Sequence, residues 1–302
     1  MSKKSKIYNF KHEYLGRSVV TFFGLLLILI TIIMVLFLAS KGMATFLDNH
    51  VPLTQFLFST DWHPERGIAE GGPVVGVLIF IVGSVLISGL ALLISTPFSV
   101  ALAIFMTEIS PKLGKKIFQP VIEIFVGIPS VVYGWVGLTV LVPFVRNHFG
   151  GLGFSMLAGS LVLAVMIFPT IATVSADSLS IITEDYKEAS YALGATRWHT
   201  IRKIIFPCAL PGILTGVVLG LARAFGEALA VQMVIGNSIR IPGSILDSTI
   251  NLTSIITMDM GNTAMGTPWN NALWSMALLL LLISFLFILI IHRIGRKGNV
   301  SA

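Results

Sequence analysis

The sequence predicts an all-α integral membrane protein with six transmembrane helices and both termini in the cytoplasm. Three observations predict it. The chain has 302 residues, of which 55% are hydrophobic and only 11% charged. A soluble domain carries about 25% charged residues, so this chain lacks the polar surface to face water. Six apolar runs approach or exceed the roughly 20 residues that cross a bilayer as a helix. They lie at 18–40, 74–107, 117–142, 155–179, 212–235 and 272–292. The third observation is that basic residues gather in alternate connections between these runs.

Taken in order, residues 1–17 form a basic N-terminal tail, and 18–40 the first span. That run is longer than the roughly 7–15-residue core of a signal peptide, so it reads as a retained helix. A loop at 41–73 follows, then a five-helix core over 74–296 and a tail at 297–302. The run 74–107 exceeds one simple span and contains Pro97, which calls for a kink or an extension beyond the membrane. The third run holds Gly127 and Pro129 and the fourth Pro169. Both can bend where neighbouring helices satisfy the freed carbonyls.

Charge sets the orientation. With a cytoplasmic N-terminus, the inside segments hold Lys3, Lys4, Lys6, Lys11, Arg17, Lys112, Lys115, Lys116, Lys187, Arg197, Arg202, Lys203, Arg293, Arg296 and Lys297. The outside segments hold only Lys41, Arg66, Arg146 and Arg240. That is the positive-inside bias of a membrane protein. It makes the net charge of +6 a matter of topology, with no nucleic-acid face implied. Cys208 is the single cysteine, so no internal disulfide can form.

The inside loop 180–211 reads SIITEDYKEASYALGATRWHTIRKIIFPCALP and predicts two short helices. Asp185 and Glu188 resemble a capping box that opens the first, and Gly194 closes it in a left-handed turn. Thr196 caps the second, which runs to Phe206 before Pro207 stops it. Trp198, Ile201 and Ile205 share one face of that helix, with Arg197, Arg202 and Lys203 largely off it, as in a helix lying on a membrane surface. In the first helix the small residues Ala189, Ser190 and Ala192 flank Glu188 and Tyr191 and allow a partner to approach the backbone. The alternative is a solvated loop. The loop 236–271 on the other side is rich in Ser, Thr, Asn and Gly, and reads equally as a docking surface or a polar connector.

The fifth run carries two charges, Arg223 and Glu227. An ionised residue at membrane depth costs at least about 2.5–3.5 kcal/mol on insertion scales. On a helix of 100° per residue, Gly212, Gly216, Gly220, Arg223, Glu227 and Ala230 fall within about 80° of one another. Small residues at four-residue spacing favour close helix packing, so both charges sit on the packed stripe. A guanidinium presents a planar, permanently charged donor set suited to an oxyanion. The competing reading is a structural ion pair. Glu123 and Asp177 read as structural, and Tyr133 and Trp135 either line a path or pack. His63, His148 and His199 show no metal spacing.

The loop resembles the EAA loop of bacterial ABC importer permeases, whose pattern is E-A-A, three residues, G, nine residues, I, one residue, L-P. Glu188, Ala189, Ser190, Gly194, Ile204, Phe206 and Pro207 stand at that spacing. Ser190 replaces the usual alanine and Phe206 the usual leucine. The stretches GIPSVVYGWVGLTVLVPFV at 127–145 and ARAFGEALAVQMVIGN at 222–237 resemble the phosphate-specific permeases of PstC type. The resemblance implies a MetI-like, type I importer core in the bacterial cytoplasmic (inner) membrane. It implies that Glu188, Ala189, Ser190 and Gly194 dock the ATPase, and that transport needs Arg223 and Glu227. The implied partners are a second permease subunit of PstA type, a PstB-type ATPase dimer that carries the ATP, an extracytoplasmic phosphate-binding protein, and membrane lipid. This chain itself is expected to bind no cofactor and no nucleic acid, and it shows no GxxxxGK[ST], HExxH or GxSxG motif. Phosphate rests on the resemblance alone. Another oxyanion (phosphonate, molybdate or sulfate) stays open, as does an ion-coupled transporter or a membrane-embedded enzyme.

Overall fold

The computed structural model describes residues 15–67 and 71–298. The tail residues 1–14 and 299–302, with Lys3, Lys4, Lys6 and Lys11, lie outside them. Among the described residues, five continuous helices are long and apolar enough to cross a membrane. A sixth candidate is a bent pair. The described residues form a multi-pass, mostly helical membrane protein.

Helix α1 (Leu15–Gly42) is apolar all round, and the most hydrophobic stretch of it has no buried residue. Only its end is held. Phe37 meets Trp274 edge-on at 5.5 Å, and the Ser275 hydroxyl donates to the Gly42 carbonyl at 2.6 Å. A helix with this surface is at rest only in lipid. A two-stranded ribbon in the following loop, Trp62–His63 against Val74–Val75, is antiparallel. It lays Trp62 edge-on over Phe80 at 5.1 Å.

Helix α2 (Leu78–Ile104) passes Pro97 unbroken and continues through a wide turn, Phe105–Ile109. The 32 residues of this span measure about 48 Å at 1.5 Å per residue, well beyond a hydrocarbon core of about 30 Å. The length expected of an extension beyond the membrane is therefore present.

The third predicted span, 117–142, is replaced by two arms, Pro111–Gly127 and Ser130–Phe149, set at 93°. The first ends in α3 (Gln119–Gly127) and the second begins with α4 (Ser130–Val136). Pro129 forces the residue before it out of the helical region, and Ile128 is extended at φ −70, ψ 127.

Helix α5 (Met156–Ser180) is the central one and the most buried of the spans. The loop helices are α6 (Glu184–Ala192) and α7 (Arg197–Thr200). A wide turn, Ile201–Ile205, carries α7 straight into α8 (Phe206–Gly226). Pro207 therefore does not stop the second loop helix, contrary to the sequence reading. The widened turn bonds Phe206 N–H back to the Ile201 carbonyl, five residues away. That wider ring makes room for a proline that cannot donate.

The glycine stripe of α8 packs on α5 as expected. A methyl group added at Gly216 would lie 3.1 Å from Val174 Cβ, and at Gly220 it would lie 2.7 Å from Ile171 Cγ1. The fifth span does not run on to 235. It stops at Gly226, Glu227 is extended at φ −77, ψ 124, and a separate turn, α9 (Leu229–Gln232), follows. The loop after it contains α10 (Leu252–Asp259), whose Asn251 side chain caps Ser254 N–H at 2.9 Å. The last helix is α11 (Pro268–Gly298). One core joins α2, α5, α8 and α9. A second lies under the ribbon, α10 and α11, and a third beneath the α7–α8 junction.

Candidate functional site

Two sites emerge, one on the loop 180–211 and one around Arg223. On the loop, α6 opens at Thr183, which stands extended with no side-chain cap. Helix α6 thus starts at Glu184, and Asp185 lies inside its first turn, where it cannot form the expected capping box. Glu184 and Asp185 still favour this end through the helix dipole. The close of α6 is as predicted. Gly194 has φ +80, its N–H donates to the Tyr191 carbonyl at 2.9 Å, and Ala195 N–H donates to Ser190 at 3.2 Å. That pair of bonds is the Schellman motif. Thr196 then caps α7 by accepting from His199 N–H at 3.3 Å.

Glu188, Ala189 and Gly194 are exposed together, and Leu193 is 89% exposed. Ser190 points the other way. It is buried, and its hydroxyl lies 2.8 Å from that of Thr200. It pins α6 to α7, so it is internal to the loop and absent from its outer face. The predicted face of Trp198, Ile201 and Ile205 is also corrected. The two isoleucines are buried, while Trp198 is 61% exposed. A wheel of 100° per residue assumes α geometry, and the chain leaves that geometry at Ile201.

A buried carboxylate, Glu108, escaped the sequence reading. Its side chain lies 3.2 Å from Lys187 Nζ, which also reaches Glu184 at 3.3 Å. Burial disfavours the ammonium of Lys187, but the carboxylates of Glu108 and then Glu184 outweigh it and raise its pKa above the ordinary lysine value. Arg197 Nη2 donates to the carbonyls of Glu108 and of Ile109, the latter at 3.1 Å. The signal available in the sequence was a lone glutamate at the edge of a long apolar run.

The second site lies where the broken helices meet. Gly134 on α4 packs on α9, where an added methyl would come within 2.8 Å of Ala230 Cα. Arg223 stands in the last turn of α8, partly buried, and donates from Nη1 to the Thr170 hydroxyl on α5 at 2.9 Å. Glu227 does not pair with it. Its Oε1 accepts from Ala230 N–H at 3.1 Å, and its carbonyl accepts from the Thr253 hydroxyl at 2.7 Å. The predicted Arg223–Glu227 pair on one helical stripe is therefore absent among the described residues. Helix α8 breaks between the two, and the carboxylate caps α9. Among the described residues, Arg223 has a neutral partner and no carboxylate within ion-pair reach. Thr170 was not singled out from sequence.

The other candidates are peripheral. Glu123 accepts from Gln119 on its own helix at 3.2 Å. Asp177, near the α5 end, lines a depression together with Glu108, Lys115 and Lys187. His63 meets Glu65 at 3.4 Å, and His148 Nδ1 lies 2.9 Å from the Phe144 carbonyl. No group of His, Cys, Asp or Glu among the described residues could hold a metal ion. Tyr133 is tied to the bend at Pro129, and Trp135 is exposed.

Comparison with known proteins adds to this geometry. Residues 95–298 match the family described as binding-protein-dependent transport system inner membrane component. A Bacillus subtilis protein, described as probable ABC transporter permease protein YqgH, is 52% identical over 289 residues. The match covers 95% of this chain and 92% of that one. Phosphate transport system permease protein PstC of Pasteurella multocida is 35% identical over 266 residues, covering 80% and 81%. Among solved structures, a chain of a bacterial alginate ABC transporter superposes with TM-score 0.63 at 16% identity, over 96% of each chain. A chain of the MetNI methionine ABC transporter in an inward-facing conformation gives 0.53 at 23% identity, covering 74% and 94%. These structural likenesses establish the fold.

Proposed function

This chain belongs to the family of binding-protein-dependent transport system inner membrane components, and from that premise we propose that it moves inorganic phosphate into the cytoplasm. It is an ABC transporter permease subunit, and such a subunit works with an ATPase, a second permease and a periplasmic binding protein. We assign those roles to PstB-type, PstA-type and phosphate-binding partners, with ATP held and hydrolysed on the ATPase subunits.

The observation that carries phosphate is Arg223. It is a permanent cation at the junction of broken helices, held by a neutral hydroxyl and, among the described residues, not paired with a carboxylate. In transporters with broken helices the half-helix N-termini meet anionic substrates, whereas here α8 presents its C-terminal end, so the positive charge comes from the Arg223 side chain itself. A guanidinium offers the planar fork that matches phosphate oxygens. Its position tempers the attraction, because the last turn of a helix carries partial negative charge. A carrier needs that moderation, since it must release what it binds. Similarity to proteins named as phosphate permeases, 35% identical over most of the chain, supports the same substrate. Glu227, just past the break that ends α8, contributes negative charge that opposes tight capture.

On this reading Glu188, Ala189 and Gly194 present the ATPase-docking surface of the loop, and Ser190 supports it from beneath. Both termini are assigned to the cytoplasm, on the side of that loop.

The test is uptake of radiolabelled phosphate at low external concentration, in cells lacking the gene and in the same cells complemented. Restored uptake that excess phosphate suppresses, and that molybdate, sulfate and phosphonate do not, supports phosphate. Suppression by one of the others reassigns the oxyanion. Unchanged phosphate uptake in the deleted strain, with no second phosphate system active, discards phosphate.

A further inference from the structure

We infer that Glu108, Lys187 and Arg197 form a latch that fixes the loop helix α6 to the end of α2, so that the ATPase-docking loop and the long second span move as one body. The inference rests on the proposed docking role of the loop and goes beyond it, by naming which span receives the motion and through which residues.

Three contacts build the latch. Lys187, on α6, pairs with the buried Glu108 carboxylate at 3.2 Å. Arg197, at the start of α7, reaches back to the carbonyls of Glu108 and Ile109. These are the closing residues of the wide turn that ends α2, where the Ser110 N–H bonds only to Phe105. The guanidinium thus takes up carbonyls that have run out of helical donors. Glu184 holds Lys187 from its other side at 3.3 Å.

Energetics favour a rigid link over a loose one. Both side chains of the Lys187–Glu108 pair are largely buried, and separating them would leave a buried charge without a partner, which is strongly destabilising. The pair therefore opposes sliding of α6 over the α2 end. Its geometry spans two elements far apart in sequence, so it does not serve local helix formation.

Motion passed to α2 has a defined next contact. Ser99, on α2, donates to the Phe168 carbonyl of α5 at 3.1 Å. Just beyond Phe168 on α5 stands Thr170, which holds Arg223. The latch thus connects the loop to the helix that positions the arginine.

The test uses the complete transporter, ATPase included, in lipid vesicles. Cys208, the single cysteine, is first replaced by serine. Spin labels are placed in pairs at Lys112→Cys, Asp185→Cys and Asn147→Cys. The latch predicts one narrow 112–185 distance that ATP does not change, while the 112–147 and 185–147 distances shift together on ATP binding. In Glu108→Gln the 112–185 distance broadens or splits. There ATP still shifts 185–147 but no longer shifts 112–147. Should Glu108→Gln fail to assemble, Glu108→Gln with Lys187→Gln, which strands no charge, is read in its place. A variant whose 112–185 distance stays as narrow as wild type, or a wild-type distance that changes with ATP, overturns the inference. If ATP moves neither label in the wild type, the docking role of the loop fails instead, and the nucleotide-free 112–185 width still decides the latch.

Discussion

The Tyr133 hydroxyl donates to the Phe125 carbonyl at 2.7 Å across the 93° bend. Phe125 is the residue whose helical donor would be Pro129, and proline has no N–H to give. The tyrosine supplies the missing donor from the far arm and so fixes the angle of the bend. Tyr133→Phe leaves that carbonyl bare in an apolar setting. Hydrogen bonds inside membrane proteins contribute about 0.6–2 kcal/mol, so the purified transporter should melt at a lower temperature and be cut more readily near 127–130 by protease. Unchanged melting and cleavage would show that another group satisfies the carbonyl.

Gly194 carries the turn that presents α6. A side chain at φ +80 costs about 1–2 kcal/mol for most residues, and asparagine tolerates the region best. Gly194→Val should therefore weaken ATPase association and uptake strongly, and Gly194→Asn much less. Co-purification of the ATPase with each variant gives the order. An equal loss in both would mean that the glycine is needed for a close contact and not for its backbone.

Much of this was legible in the sequence, and the misses share a cause. Apolar runs located the spans, apart from the bent third and the bounds of the fifth, because lipid demands long uncharged helices. Gly194 and Thr196 marked their turns, because both act within a few residues of themselves. Pro129 announced a bend, although nothing local gave its angle, which depends on Tyr133 reaching back to Phe125. The helical wheel failed at Ile201 and again beyond Gly226, since it presumes regular geometry across a widened turn in one case and a break in the other. That is why Glu227 was read as a partner of Arg223 when it caps α9. Glu108 was missed because its partners Lys187 and Arg197 come from a distant loop, and only the folded chain brings them together.

Ser190 and Ala189 sit side by side in the sequence and should respond oppositely. Ser190→Ala removes one bond to Thr200, whose hydroxyl keeps the Thr196 carbonyl as acceptor at 3.2 Å. The expected cost is about 0.5–1.5 kcal/mol, with ATPase binding retained. Ala189→Trp leaves the permease folded, since this side chain is exposed, but should abolish ATPase co-purification. Retained binding in Ala189→Trp would remove Ala189 from the docking surface.

Lys187 gives a pH prediction. Its pKa is raised above 10.5 in the folded protein, so its contribution is fully present below the ordinary lysine value and is lost as pH rises through the higher folded value. The difference in melting temperature between wild type and the double variant Glu108→Gln with Lys187→Met, which strands no carboxylate, should stay constant from about pH 6 to 9 and shrink only above about 10.5. A difference that varies near neutral pH would mean that another group governs the contact.

Glu227 separates charge from structure. Its Oε1 caps α9 through Ala230 N–H, and the amide oxygen of Gln can accept the same bond. Glu227→Gln should therefore fold and assemble as wild type does, while Glu227→Ala should lose about 0.5–2 kcal/mol with the cap. The two differ in transport as well. In Glu227→Gln the negative charge near Arg223 is gone, so the cation attracts the anion more strongly at entry and holds it longer. The expected kinetics are a lower KM for phosphate together with a lower maximal uptake rate, measured in vesicles at matched protein levels. Stability assays on both variants must accompany the kinetics, because a fall in rate alone could reflect lost assembly. A Glu227→Gln transporter with unaltered KM and rate would confine Glu227 to capping α9 and leave Arg223 as the single charged group of the path.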